Sequence, residues 1–157
     1  RLSLGLNQPQ SIADNLVLAS LDKILSGGLI SPSKKASVVS HWISALGVKI
    51  GKPEDPIRTL SGGNQQRVAI AKWLAIGPRI LILDAPTVGV DVGARAGIFD
   101  IVRKLAAEGL SIIVISDEPP EVYFNTDRII HMVEGKIHAT YDPRRLSLNE
   151  LEAAVYA

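Results

Sequence analysis

The sequence predicts an α/β domain, with a helical subdomain at the front and a partial parallel sheet flanked by helices behind it. Three observations carry that expectation. Ile80-Leu81-Ile82-Leu83 and Ile112-Ile113-Val114-Ile115 are short continuous apolar runs, the pattern of parallel strands covered on both faces. Between them Ile98, Ile101, Val102 and Leu105 recur at helical spacing. Glu134-Gly135 then separates two β-competent runs, 128–133 and 136–140, as a hairpin turn does.

Each element has a local cause. Residues 11–20 read as a short helix with Ser11 as its N-cap. Residues 27–33 are loop chemistry, rich in Gly, Ser and Pro. Ser33 is the expected cap of a helix whose Val38, Val39, Trp42, Ile43 and Leu46 share a face, and Gly47 ends it. Lys52 to Pro56 is an irregular connection. A helix follows Ser61 and runs to about Ile76, where Gly77-Pro78 stops it. Strand 80–84 comes next, then a helix from about Gly93 with Gly109 past its end. Pro119-Pro120 suits the first turn of a short helix, and Ser147 with Glu150 is spaced as a capping box for a last one.

The 157 residues suffice for one domain with a core, and 46% hydrophobic content is globular rather than disordered. A net charge of +1 leaves no basic footprint for nucleic acid. The absence of cysteine excludes disulfides and thiolate metal sites. No apolar stretch approaches the roughly 20 residues of a membrane helix, and no secretory signal is visible.

Two places carry chemistry. The turn Leu60-Ser61-Gly62-Gly63 opens a helix. Glycines allow close backbone approach, Ser61 has a hydroxyl to donate, and a helix N-terminus with unpaired N–H groups favours a phosphate. The plainer alternative is that Ser61 only caps the helix. Asp84 ends the strand 80–84, where a carboxylate can hold Mg²⁺ directly or through water; a solvated strand end or a helix cap is the alternative. His41, His131 and His138 show no metal spacing and read as packing or surface residues.

The run Leu60 to Arg67, followed by the strand ending in Asp84, resembles the signature motif and Walker B strand of an ATP-binding cassette (ABC) ATPase. The resemblance extends from about Leu4 to Tyr141. Asn64-Gln65-Gln66, Gly89-Val90-Asp91-Val92-Gly93-Ala94 and Pro120-Glu121-Val122 are similar to the second half of the tandem ATPases of ribose- and galactose-type importers. Nucleoside importers are the rival substrate class. The 157 residues hold no G-x-x-x-x-G-K-[ST] phosphate loop and no initiator Met, so the chain is expected to be the back part of a nucleotide-binding domain.

The resemblance implies a P-loop NTPase-like core divided as a helical subdomain (1–59), a part bearing signature, Walker B, D-loop and switch (60–141), and a C-terminal helix (142–157). It implies ATP and Mg²⁺ as ligands. Ser61, Gly62, Gly63 and Gln65 would complete the ATP site of the first nucleotide-binding half, or of a second cassette. Asp84 would hold Mg²⁺. Asp91 falls in the D-loop, and it can cap the next helix at the same time. Two positions depart from the family. Ala85 stands where a Glu normally acts on the attacking water, and Asp117 stands where a His normally meets the γ-phosphate. A methyl group accepts no proton, and an anion repels a phosphate. This half's own site is therefore expected to be slow or dead. The implied partners are a transmembrane permease and an extracytoplasmic solute-binding protein, with no nucleic acid, and the implied location is the cytoplasmic face of the membrane. A soluble ABC ATPase and a non-catalytic interaction module are the competing classes. Sheet edges left unpaired are expected to make the isolated chain associate.

Overall fold

The computed structural model describes residues 5–156. The first four residues of the expected helical subdomain, Leu4 at the start of the family resemblance, and Ala157 lie outside them. The chain forms two compact units, one made of residues up to Leu81 with Thr87–Ser111, the other of Ile82–Pro86 with the chain from Ile112 onward.

In the first unit, α1 (Ile12–Val17) starts at Ser11, whose Oγ accepts from the Asp14 N–H at 3.0 Å. The helix expected over 11–20 stops early. The Ser20 N–H and hydroxyl both turn back to the Val17 carbonyl, at 2.9 and 3.4 Å, and a separate turn α2 (Leu21–Ile24) follows. The loop expected at 27–33 contains a small hairpin, β1 (Leu25–Ser26) against β2 (Leu29–Ile30). Gly27 and Gly28 both have positive φ, +59° and +82°, which is the turn that matches strand twist.

Helix α3 (Pro32–Ala45) is capped by Ser31 and not, as expected, by Ser33. Pro32 has no N–H and suits the first helical position, which moves the cap back to Ser31. After Gly47 (φ +58°) and a 3-10 turn at Ile57–Thr59 come α4 (Gly62–Leu74) and α5 (Val92–Ala107). Asp91 does cap α5, accepting from the Ala94 N–H at 3.0 Å. The core of this unit is Ile12, Leu16, Ile24, Val39, Ile57, Val68, Ala71 and Ile98, with the expected stripe of α5 buried throughout. Buried Asn15 ties α1 to the preceding segment: its Oδ1 accepts from the Asn7 N–H at 2.7 Å and its Nδ2 donates to the Asn7 carbonyl at 3.0 Å.

Strand β3 (Ile80–Asp84) neighbours β4 (Ser111–Ile115). The Ala85 N–H donates to the Ile115 carbonyl at 2.9 Å, so the carboxyl ends of both strands lie side by side, as in a parallel pair. Among the described residues one face of the sheet is left open, where the continuous apolar runs suggested cover on both. Leu81 and Leu83 are buried, whereas Ile80, Ile82, Ile113 and Ile115 are 59, 61, 50 and 49% exposed. An apolar run states which residues can be buried; neighbours decide which are.

The second unit continues with α6 (Pro119–Asn125), the hairpin β5 (Ile129–Val133) and β6 (Lys136–Tyr141), and α7 (Leu148–Tyr156). The hairpin turns at Glu134 and Gly135, both at positive φ, and is antiparallel with a bulge at His131/Met132. The expected capping box on α7 is present: Glu150 accepts from the Ser147 N–H at 2.7 Å, and Ser147 accepts from the Glu150 N–H at 3.3 Å. Among the described residues no helix is long and apolar enough to cross a membrane.

Candidate functional site

The turn before α4 is built for access. Ser61 has extended backbone (φ −60°, ψ 156°) and is exposed, and α4 begins directly after it. Its hydroxyl makes no bond to a first-turn N–H of α4. The capping alternative for Ser61 therefore fails at the side chain, although its carbonyl accepts the first helical bond, from Gln65 at 2.9 Å. The Ser61 side chain therefore caps none of the first-turn N–H groups of α4, and a helix N-terminus with uncapped donors favours an anion.

Three neighbours hold this turn. Gly63 is buried, and a Cβ on it would lie 2.8 Å from the Ala94 Cβ, so glycine is what lets α4 approach the start of α5. Asn64 donates from Nδ2 to Ser61 Oγ at 3.0 Å and accepts at Oδ1 from the Lys49 N–H at 2.9 Å. Gln65 donates to the Leu60 carbonyl at 2.9 Å and accepts from Gln8 Nε2 at 3.1 Å, so its side chain braces the turn from the other side. Asp91, capping α5, lies three residues before the Ala94 that Gly63 approaches. Ser61, Gly62, Gly63, Gln65 and Asp91 thus belong to one unit.

Asp84, Ala85 and Asp117 belong to the other. Asp84 is exposed at the carboxyl end of β3, and no hydrogen bond or ion pair among the described residues engages its carboxylate. A free oxygen donor of this kind fits Mg²⁺, which takes one or two carboxylates and completes its shell with phosphate and water. Ala85 is held at φ +46°, a left-handed conformation that disfavours a Cβ. Its methyl has nothing with which to accept a proton. Asp117 is exposed just past β4. Beside it, Ser116 donates to Glu121 at 2.7 Å and accepts from the Glu118 N–H at 3.1 Å, which shapes the loop that carries Asp117.

His41 is exposed with its ring edge-on to Trp42, and His131 meets His138 edge-on at 5.3 Å. No group of three or more His, Cys, Asp or Glu able to hold a metal occurs among the described residues.

Sequence reasoning used Asn64 and Glu121 only as residues of the family resemblance; it did not foresee the Asn64 bonds to Lys49 and Ser61 or the Ser116–Glu121 bond. An amide side chain three residues into a helix, after a serine, is the one local signal of the Asn64 bond.

Known proteins are similar to this chain in sequence and in fold. Residues 3–88 match the family described as ABC transporter. The ribose import ATP-binding protein RbsA of Geobacillus kaustophilus is 47% identical over 139 residues, 88% of this chain and 28% of its own length. Its namesake in Bacillus subtilis is 46% identical over 85% of this chain and 27% of its length. The chain therefore spans less than a third of the curated relatives it matches. Among solved structures, a dimeric bacterial ABC transporter cassette superposes with a TM-score of 0.74 at 25% identity, over 90% of this chain and 60% of that one. A second, cbiO1 from Clostridium perfringens, part of an ABC transporter complex, has a TM-score of 0.75 at 24% identity, over 99% of this chain and 58% of that one, and speaks for the fold alone. The fold is that of the P-loop NTPase-like ABC ATPase cassettes, and the chain belongs to the ABC transporter family of ATP-binding proteins.

Proposed function

We propose that this chain is the signature-bearing part of the second half of a tandem ATPase that drives import of a sugar, and that it works on a nucleotide bound mainly by another module. The observation that carries this is the exposed hydroxyl of Ser61 ahead of an uncapped helix N-terminus. Ser61 with the N–H groups of Gly62 and Gly63 meets the terminal phosphate of that nucleotide, Gln65 keeps the turn in shape, and Asp91 stands at the contact between halves. The ribose-import names of the relatives support the sugar class.

In the opposite site Asp84 holds Mg²⁺, which supplies charge neutralisation at the phosphates. Ala85 leaves that site without a proton acceptor, and Asp117 sets a negative charge where the terminal phosphate belongs. The pair of sites is asymmetric: one competent, one that binds and hardly hydrolyses. The partners are the first nucleotide-binding half, a membrane permease that brings the assembly to the cytoplasmic face, and an extracytoplasmic solute-binding protein.

The test uses the full-length ATPase with separate lesions. Ser61→Arg abolishes ATP turnover, because a bulky side chain fills the space the phosphate needs. Ala85→Glu changes it little, because the opposite site carries the flux. A many-fold rise with Ala85→Glu, together with no effect of Ser61→Arg, overturns the assignment.

A further inference from the structure

A hydroxyl can donate one hydrogen bond and accept others, and which it offers to a ligand depends on what its own protein asks of it. At Ser61 that question has an answer. Asn64 places one end of its amide 2.9 Å from the Lys49 N–H and the other 3.0 Å from Ser61 Oγ. A backbone N–H can only donate, so the amide oxygen must face Lys49 and the NH₂ must face Ser61. That NH₂ is itself only a donor. Ser61 Oγ is therefore held as an acceptor on its protein side, and its proton has to point away from Asn64.

The Lys49 N–H that sets this orientation is itself fixed. Arg67, one helical turn beyond Asn64, donates through Nη1 to the carbonyls of Leu46 at 2.7 Å and Gly47 at 3.2 Å. Gly47 has φ +58°, and Val48 is buried. Two side chains of α4 thus grip the turn at residues 46–49, Arg67 by its carbonyls and Asn64 by an N–H. Ser61 makes no competing bond to the helix N–H groups.

We propose that Asn64 is a positioning residue: by occupying Ser61 Oγ as an acceptor, it presents the Ser61 hydroxyl proton outward as a donor to an anionic oxygen, the terminal phosphate of a nucleotide. This rests on the proposed role of Ser61. An acceptor at position 64 would do the opposite, drawing the proton inward and turning lone pairs toward the phosphate.

Asn64→Asp is the informative variant, because a carboxylate still accepts from Lys49 and no longer donates to Ser61. In the full-length ATPase it lowers ATP turnover about tenfold or more, the scale of one hydrogen bond to a charged group. Nucleotide-free protein keeps hydrogen-exchange protection at the Lys49 amide in Asn64→Asp and loses it in Asn64→Leu. The effect runs through the hydroxyl, so in a Ser61→Ala background Asn64→Asp adds less than twofold; charge repulsion or general loosening would multiply instead. Multiplying losses, or full activity of Asn64→Asp beside an impaired Ser61→Ala, overturns the proposal while leaving the role of Ser61 standing. Lost protection at Lys49 in Asn64→Asp overturns the geometry. An unimpaired Ser61→Ala sinks the role of Ser61 and this proposal with it.

Discussion

A Cβ on Gly63 would sit 2.8 Å from the Cβ of Ala94, so the first turn of α4 and the first turn of α5 touch through a missing side chain. Real Cβ atoms do not approach so closely, and here each atom belongs to a helix that cannot yield alone. The contact sets the distance between the Ser61 turn and the Asp91 cap, because both begin the helices that meet there.

Gly63→Ala should therefore act as overpacking. The expected cost is about 1–3 kcal/mol of stability, read as a lower midpoint in urea. Ala94→Gly in the same chain should return most of it, since it removes the opposing methyl. A Gly63→Ala protein as stable as the parent would mean that the helices do not meet at this point.

Ala85 carries backbone strain. With φ at +46° it pays for a Cβ that glycine lacks. Ala85→Gly should stabilise the chain by about 0.5–1 kcal/mol after the extra unfolded-state entropy of glycine is subtracted. The Ala85 N–H bond to Ile115 survives the change. Chemical denaturation of both proteins under one buffer checks this, and a loss of stability would show that the left-handed turn is not occupied.

Asp14 links α1 to α3 through Lys35 Nζ at 2.6 Å. The Lys35 bond first, then the Ser11 hydroxyl, hold its carboxyl below the ordinary value of 3.8. A depressed carboxyl contributes stability above its unfolded pKa and loses it as pH falls through the folded one. The contribution is therefore complete at neutral pH, begins to fall near the unfolded value of about 4 and is gone only once pH has passed below the folded one. Asp14 is half exposed, so solvent screening keeps the effect under about 1 kcal/mol. Asp14→Asn should lower the urea midpoint slightly at pH 7, and by progressively less as pH falls below about 4.

Ile80, Ile82, Ile113 and Ile115 leave an apolar face open on neighbouring strands. The 157 residues alone should self-associate through it. Ile82→Lys with Ile113→Thr should shift light scattering toward monomer at equal concentration. Unchanged association would place the sticky surface elsewhere.

Much of the local structure was legible because its causes are local. Ser147 and Glu150 cap one another across three residues, Asp91 reaches Ala94 across three, and Glu134-Gly135 has the backbone freedom its turn requires. The misplaced cap at Ser33 is a local error too: Pro32 already marked the first helical position. The continuous runs at 80–83 and 112–115 form strands as expected; among the described residues Leu81 and Leu83 are covered while Ile80, Ile82, Ile113 and Ile115 are not, since hydrophobicity is a property of the residue and burial a property of its neighbours.

The residue types at Ser61, Asp84, Ala85 and Asp117, and so the chemistry open to them, were determined by the sequence alone, because a side chain's donors, acceptors and charge come with its identity. What only the tertiary structure decided is how they are presented. Asn64 finds its partner in Lys49, 15 residues back along the chain, and Gly63 finds its own in Ala94, from a different helix. The direction of a hydroxyl proton and the clearance at a missing Cβ depend on atoms that come together only when distant segments pack, so no pattern read along the chain could have supplied them.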